Sequence, residues 1–121
     1  MALSERLGQF EQFVLTGVLT LGEGAYGVTI HARVQQLAHP RTASLGAVYV
    51  TLDRLEDKGL VSSQLSDPTP QRGGRAKRCY RVEAAGERAL HDAALATRRM
   101  SAALSEVWGA QWEQRRRKAW K

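Results

Sequence analysis

Arg72, Arg75, Lys77 and Arg78 crowd around the pair Gly73-Gly74 in this 121-residue chain. Guanidinium groups grip phosphate oxygens in pairs, and arginine also favours a narrow minor groove, so the cluster suits phosphate recognition. A second stretch invites a phosphate reading of another kind. GEGAYG, residues 22–27, fits G-x-G-x-x-G, the pattern of a dinucleotide-binding turn, which requires a strand before it and a helix after it. His31, His39 and His91 show no metal-ligand spacing, and no carboxylate stands at a helical offset that would complete a site. Nothing resembles a nucleophile, base and orienter set. Cys79 is the single cysteine, which excludes an internal disulfide and a multi-cysteine zinc site. No catalysis, no metal and no cofactor are expected.

Charge and length narrow the partners. The formal net charge is +6 with 43% hydrophobic residues, the balance of a globular protein with a basic surface. Such a surface favours polyanions, nucleic acid first and acidic lipid second. One domain of this size buries a core of its own but has no room for a complete dinucleotide-binding enzyme. No apolar run reaches membrane-spanning length, so no membrane partner is expected. The opening MALSERLGQFEQF carries charge where a signal peptide is apolar, so the expected location is cytoplasmic.

These residues need elements to position them. Leu3, Leu7, Phe10, Val14, Val18 and Leu21 step by three and four, the stripe of a helix. Ser4 and Glu5 suit its start and Gly22 its C-terminal cap. A strand reading of FVLTGVLTL has valines and threonines in its favour, but Gly17 sits in its middle. With a helix before GEGAYG, the dinucleotide fingerprint loses its context. Tyr26, Ile30, Val34 and Leu37 mark a second helix, closed before Pro40. Ser44 is a good N-cap for a third, with Val48, Leu52 and Leu55 inward and Tyr49, Thr51, Asp53, Arg54 and Glu56 on the other face. Gly59 ends it. LVSSQL and RCYRV then read as strands around the turn DPTPQRGG, with Tyr80 and Val82 on one face and Cys79 and Arg81 on the other. A final helix over 83–112 lines up Leu90, Ala93, Ala96, Met100, Leu104, Val107 and Trp108, and a basic, frayed tail follows. The fold class is therefore α+β, mainly α: a winged helix-turn-helix of three helices and a two-stranded wing, followed by a C-terminal helix. The expected divisions are 1–83 for the winged domain, 84–113 for the helix and 114–121 for the tail.

GAYGVTI, SLGAVYVTLDRLEDKGLV and RGGRAKRCYRVEAAGERAL together resemble the PadR-like transcriptional regulators, in family order and spacing from about Leu7 to the start of the last helix. The resemblance implies a dimeric bacterial winged-helix protein, usually a repressor, whose third helix enters the major groove of double-stranded DNA. It also implies a C-terminal helix that mediates homodimerisation. A single helix after the wing is similar to the smaller of the family's size classes. Two positions depart from the family pattern: Val50 stands where proline often follows the recognition-helix tyrosine, and Cys79 where a second aromatic is common. Neither alters the expected fold. On this reading GEGAYG is a helix-helix turn, with Gly27 allowing a close approach to a neighbour or to DNA.

The expected DNA-binding residues are Tyr26, Ser44, Gly46, Ala47, Tyr49, Val50 and Arg54 with Arg72, Gly73, Gly74, Arg75, Lys77 and Arg78. Major-groove edges carry the sequence code, and the small residues Gly46 and Ala47 let the backbone come near them. Tyr49 and Arg54 suit phosphate contacts, which position without specifying. The competing reading packs Tyr49 on the protein and pairs Arg54 with Glu56 or Asp57. For the wing, the competing reading is a solvated charge run. His31 and His91 are expected as exposed helix residues, and Cys79 as structural, with a redox role as the alternative. A protein-interaction module that borrows the fold without using DNA is the alternative function.

Phe10, Leu90, Met100, Leu104, Val107 and Trp108 are expected at a homodimer interface, since a domain this small cannot cover the long apolar stripe of the last helix. Trp108 and Trp112, a helical turn apart, are candidates for stacking on a small aromatic effector, against the plainer reading that both bury area in the dimer seam.

Overall fold

Glycine opens and closes the first helix. The computed structural model describes residues 6–66 and 77–119. Helix α1 spans Gln9–Leu21, and the Gly8 amide at its start donates to the Glu11 carboxylate at 2.9 Å. Gly22 ends it at φ 60, a backbone value open to a residue without a Cβ, and its amide returns to the Val18 carbonyl. The expected start at Ser4 and Glu5 lies outside the described residues, as does Leu3. Leu7 precedes the helix yet is buried in the core, so this residue of the apolar stripe packs from outside the helix.

Helix α2 (Gly27–Ala38) and helix α3 (Leu45–Asp57) follow. Tyr26 stands at the N-cap of α2 rather than inside it, and its amide donates to Thr29 Oγ1. Ser44 caps α3 as expected, accepting the Ala47 amide at 3.0 Å. Val14, Leu15 and Val18 meet Ile30 and Val34 of α2 and Val48, Leu52 and Leu55 of α3 in one buried cluster. Each such side chain contributes roughly 1.5–3 kcal/mol on full burial. Thr51, expected on the outer face, is buried at 5% exposure. It lies one residue from Leu52 and four from Leu55, inside the width of the face that α3 turns to the core.

Strands β1 (Val61–Leu65) and β2 (Arg78–Val82) form an antiparallel hairpin with Val61 opposite Val82 and Ser63 opposite Tyr80. Tyr80 is buried and Cys79 half-buried on the opposite face, as the alternation predicts. The sheet has a further rung. Tyr26 bridges Cys79, and the Tyr80 amide donates to the Ala25 carbonyl at 2.8 Å. GEGAYG thus does more than join two helices, because its last residues pair with β2.

Helix α4 runs from Ala84 to Ala119, with a break at Gly109 (φ 46, ψ −140). The expected helix ended at 112; the observed one continues into the basic tail, beyond a bend the apolar stripe did not reveal. Its first turns pack on the core through Ala85, Ala89 and Leu90. Gly86 is forced here, since a Cβ would stand 2.2 Å from the Leu60 carbonyl oxygen. Among the described residues no helix is long and apolar enough to cross a membrane.

Candidate nucleic-acid interface

Helix α3 turns its N-terminal half outward. Ser44, Gly46, Ala47, Tyr49 and Val50 are all exposed, and only Val48 points inward between them. Leu45 is exposed as well, and Val28 stands out from the first turn of α2. Neither was singled out from sequence, where an apolar residue outside the inward stripe carries no mark of its own. Their signal was a surplus: Val48, Leu52 and Leu55 already fill the inward face of α3, leaving Leu45 without a place there. Exposed methyl groups beside Gly46 and Ala47 suit contact with the apolar edge of a base.

The angle between α2 and α3 is held at Ala43. Its carbonyl accepts from His31 Nε2 at 2.7 Å and its amide donates to Gln35 Oε1 at 2.8 Å. His31 and Gln35 are one helical turn apart on α2, so both polar groups of one residue are satisfied by one helix face. His31 is therefore half-buried and engaged rather than the exposed helix residue expected, whereas His91 is exposed. Tyr49 crosses back to α2: a Cβ at Gly27 would lie 1.8 Å from the Tyr49 hydroxyl, so the ring rests where no side chain stands. The ring thus packs on the protein, as the competing reading has it, while 41% of the residue stays exposed.

The wing meets this surface through its base. Lys77 Nζ lies 4.1 Å from the centroid of the Tyr26 ring. Arg78 Nη1 donates to Ser63 Oγ at 2.9 Å, and Ser63 in turn donates to the Glu56 carboxylate. The competing partner expected for Glu56 was Arg54; Arg54 is exposed and its charge acts instead on Glu11. Burial pushes the Tyr80 phenol up, and the Asp53 carboxylate adds to it, while Arg78 opposes both. Arg72, Gly73, Gly74 and Arg75 lie outside the described residues.

Of the expected interface residues, Phe10 and Leu90 are half-buried against this chain's own core, where Phe13 joins them. Met100, Leu104, Val107 and Trp108 are exposed along α4. Gly109 separates Trp108 from Trp112, so the helical turn between the two indoles is not regular. The side chain of Trp112 lies outside what is described. A groove of about 570 Å³ opens between the end of α1 and the sheet, bordered by Leu19, Glu23, Cys79 and Arg81. Among the described residues no three His, Cys, Asp or Glu side chains gather as a metal would require.

Compared with protein families, residues 15–92 match the transcriptional regulator PadR-like family. Solved structures with this fold include a PadR family transcription regulator from Clostridium difficile, 24% identical, with a TM-score of 0.65 over 84% of this chain and 100% of that one. A PadR-like transcriptional regulator from Bacillus cereus is 17% identical, with a TM-score of 0.66 over 82% of this chain and 90% of that one. Another, from Eggerthella lenta, is 20% identical, with a TM-score of 0.61 over 81% of this chain and 82% of that one. At these identities the likeness establishes the winged-helix fold. Comparison with curated proteins finds no match.

Proposed function

Because the chain belongs to the PadR-like family of transcriptional regulators, we propose that it binds double-stranded DNA as a homodimer and represses transcription. The observation that carries this reading is the exposed run Ser44, Leu45, Gly46, Ala47, Tyr49 and Val50 on a helix braced from behind by α2 and flanked by the wing. Small and apolar residues at the N-terminal end of α3 suit insertion into a major groove. Arg54 and the wing cations Arg72 and Arg75 supply phosphate contacts to either side, positioning the helix without reading sequence. The acidic residues Asp53 and Asp57 face solvent at the far end of α3, where the helix leaves the duplex.

In this reading residues 1–83 form the DNA-binding unit and α4 brings two copies together through Met100, Leu104, Val107 and Trp108. A two-fold dimer reads an inverted repeat with half-sites about one helical turn apart. A planar aromatic effector stacked on Trp108 would release DNA if it bound the DNA-free form more tightly.

The test is a gel-shift titration against the protein's own upstream region, with scrambled duplex as competitor. A discrete complex that survives excess competitor supports the reading. No retardation at micromolar protein and low salt removes it, and leaves the exposed face of α3 as a protein-interaction surface.

A further inference from the structure

Lys77 and Arg78 sit where phosphate ligands are expected, yet each is already held by the protein. Consecutive residues of an extended chain point to opposite faces, so the two neighbours leave the wing in opposite directions. Lys77 reaches the face of the Tyr26 ring, 4.1 Å from its centroid. Tyr26 belongs to the turn before α2 and bridges β2 at Cys79. Arg78 turns the other way, to Ser63 on the paired strand. One hydroxyl has one hydrogen to give; Ser63 gives it to the Glu56 carboxylate, at 2.8 Å and 3.1 Å from its two oxygens, while accepting from Arg78. The result is a polarised chain from a guanidinium through a hydroxyl to a carboxylate on α3, with a charge at each end.

We propose that Lys77 and Arg78 are positioning residues, a two-sided clamp that fixes the wing against the turn before α2 on one side and against the recognition helix on the other. Arg78 acts through Ser63 on Glu56 rather than as a ligand of phosphate. It also sets a cation one hydroxyl away from a carboxylate on the helix proposed to meet DNA, so loss of Arg78 both frees the wing and leaves that negative charge without a cation in that hydrogen-bonded chain. What this means for DNA rests on the function proposed above; the clamp itself does not.

The experiment uses the full chain with Arg78→Met, Ser63→Ala and Glu56→Gln, singly and in pairs. In the free protein, thermal melting reads the relay directly. Arg78→Met lowers the midpoint by a few degrees in the native background, and by less than half as much once Ser63 is alanine or Glu56 glutamine. On the other side, Lys77→Met and Tyr26→Leu are non-additive in the same way, whereas Lys77→Arg keeps a cation over the ring and retains the native midpoint. With operator DNA, Arg78→Met weakens binding about tenfold while the dependence on salt keeps its slope, and Glu56→Gln restores most of the loss. A phosphate ligand would behave otherwise: its removal lowers the slope by ~0.9 and Glu56→Gln rescues nothing. Additive melting in the free protein overturns the clamp, and a lowered slope overturns the role given to Arg78. If the native protein binds no duplex, the function proposed above fails, and melting alone still decides the clamp.

Discussion

The hydroxyl of Tyr49 occupies the place where a side chain of residue 27 would begin: a Cβ on Gly27 would stand 1.8 Å from it. Gly27 is the first residue of α2 and Tyr49 lies on the exposed side of α3, so a missing methyl group sets how closely the two helices approach. Gly86 is constrained in a different way, by the backbone carbonyl of Leu60 at 2.2 Å. A half-exposed ring can swing aside; a carbonyl that also accepts the Glu83 amide cannot. Gly27→Ala is therefore expected to cost about 1 kcal/mol and Gly86→Ala about 3 kcal/mol, the two ends of the range for overpacking. Chemical denaturation of both variants checks the order. Equal losses would mean that Tyr49 is as immobile as the backbone.

Acid should weaken the joint between α1 and α3. Burial raises the pKa of Glu11, but the Gly8 amide, the Lys58 ammonium at 2.9 Å and Arg54 together outweigh it, and the carboxyl is held below its ordinary range. A folded-state pKa below the unfolded one stabilises fully above the unfolded value, near ~4.3 for a glutamate, and the gain disappears as pH falls through the folded value. Glu11→Gln is expected to lower the melting midpoint at neutral pH, and its gap from the native protein should close as pH falls through the folded value. A gap that persists in acid would show that Glu11 acts through packing alone.

On the function proposed above, Arg72 and Arg75 should carry charge rather than sequence preference. Arg72→Gln with Arg75→Gln is expected to weaken binding to operator and to scrambled duplex by similar factors. The salt slope should fall by ~0.9 for each phosphate that the variant no longer neutralises. Retained affinity and slope in the double variant would take the tip out of the interface.

If two copies associate through α4 as proposed, Leu104→Asp should separate them. Met100, Leu104, Val107 and Trp108 are exposed on a single chain, and covering each with a second copy would contribute at most roughly 1.5–3 kcal/mol, least at Leu104 and Trp108, which are already about two thirds covered. Light scattering at micromolar concentration is expected to give the mass of two chains for the native protein and of one for the variant. A dimeric Leu104→Asp would place the interface elsewhere.

A planar aromatic effector should quench Trp108. Titration of dyes and phenolic acids followed by tryptophan fluorescence tests this, with Trp108→Ala as the control. Quenching that survives in the control would leave Trp108 without the ligand role proposed above.

Much of the scaffold was legible because it rests on periodicity. Val14 and Val18, Ile30 and Val34, and Val48, Leu52 and Leu55 recur at helical spacing, and all are buried. Ser44 and Gly59 marked the limits of α3 through their own backbone chemistry: a hydroxyl that accepts an amide, and a φ of 76. What escaped depends on partners distant in sequence. The pairing of Ala25 and Tyr26 with β2 leaves no pattern, since one rung has no alternation to display. His31 and Gln35 look like surface residues until the chain returns and presents Ala43 to them. Gly109 lies inside an unbroken helical composition, and the stripe running past it concealed the bend. Among the proposed site residues, residue type alone did not give the partners of the cations: neighbours on one strand, Lys77 reaches the Tyr26 ring and Arg78 reaches Ser63 on the other face.

The rung at Ala25 has a kinetic consequence. β2 is bonded on both sides, to β1 along its length and to the turn before α2 through the Tyr80 amide. Amide hydrogens exchange with solvent when their bonds open, and segments that open together exchange together. The Tyr80 hydrogen is held while the turn holds, so separation of β1 from β2 alone does not release it. In deuterated solvent the Tyr80 amide should therefore exchange on the same timescale as the amides at the start of α2, and the wing and the turn melt as one unit.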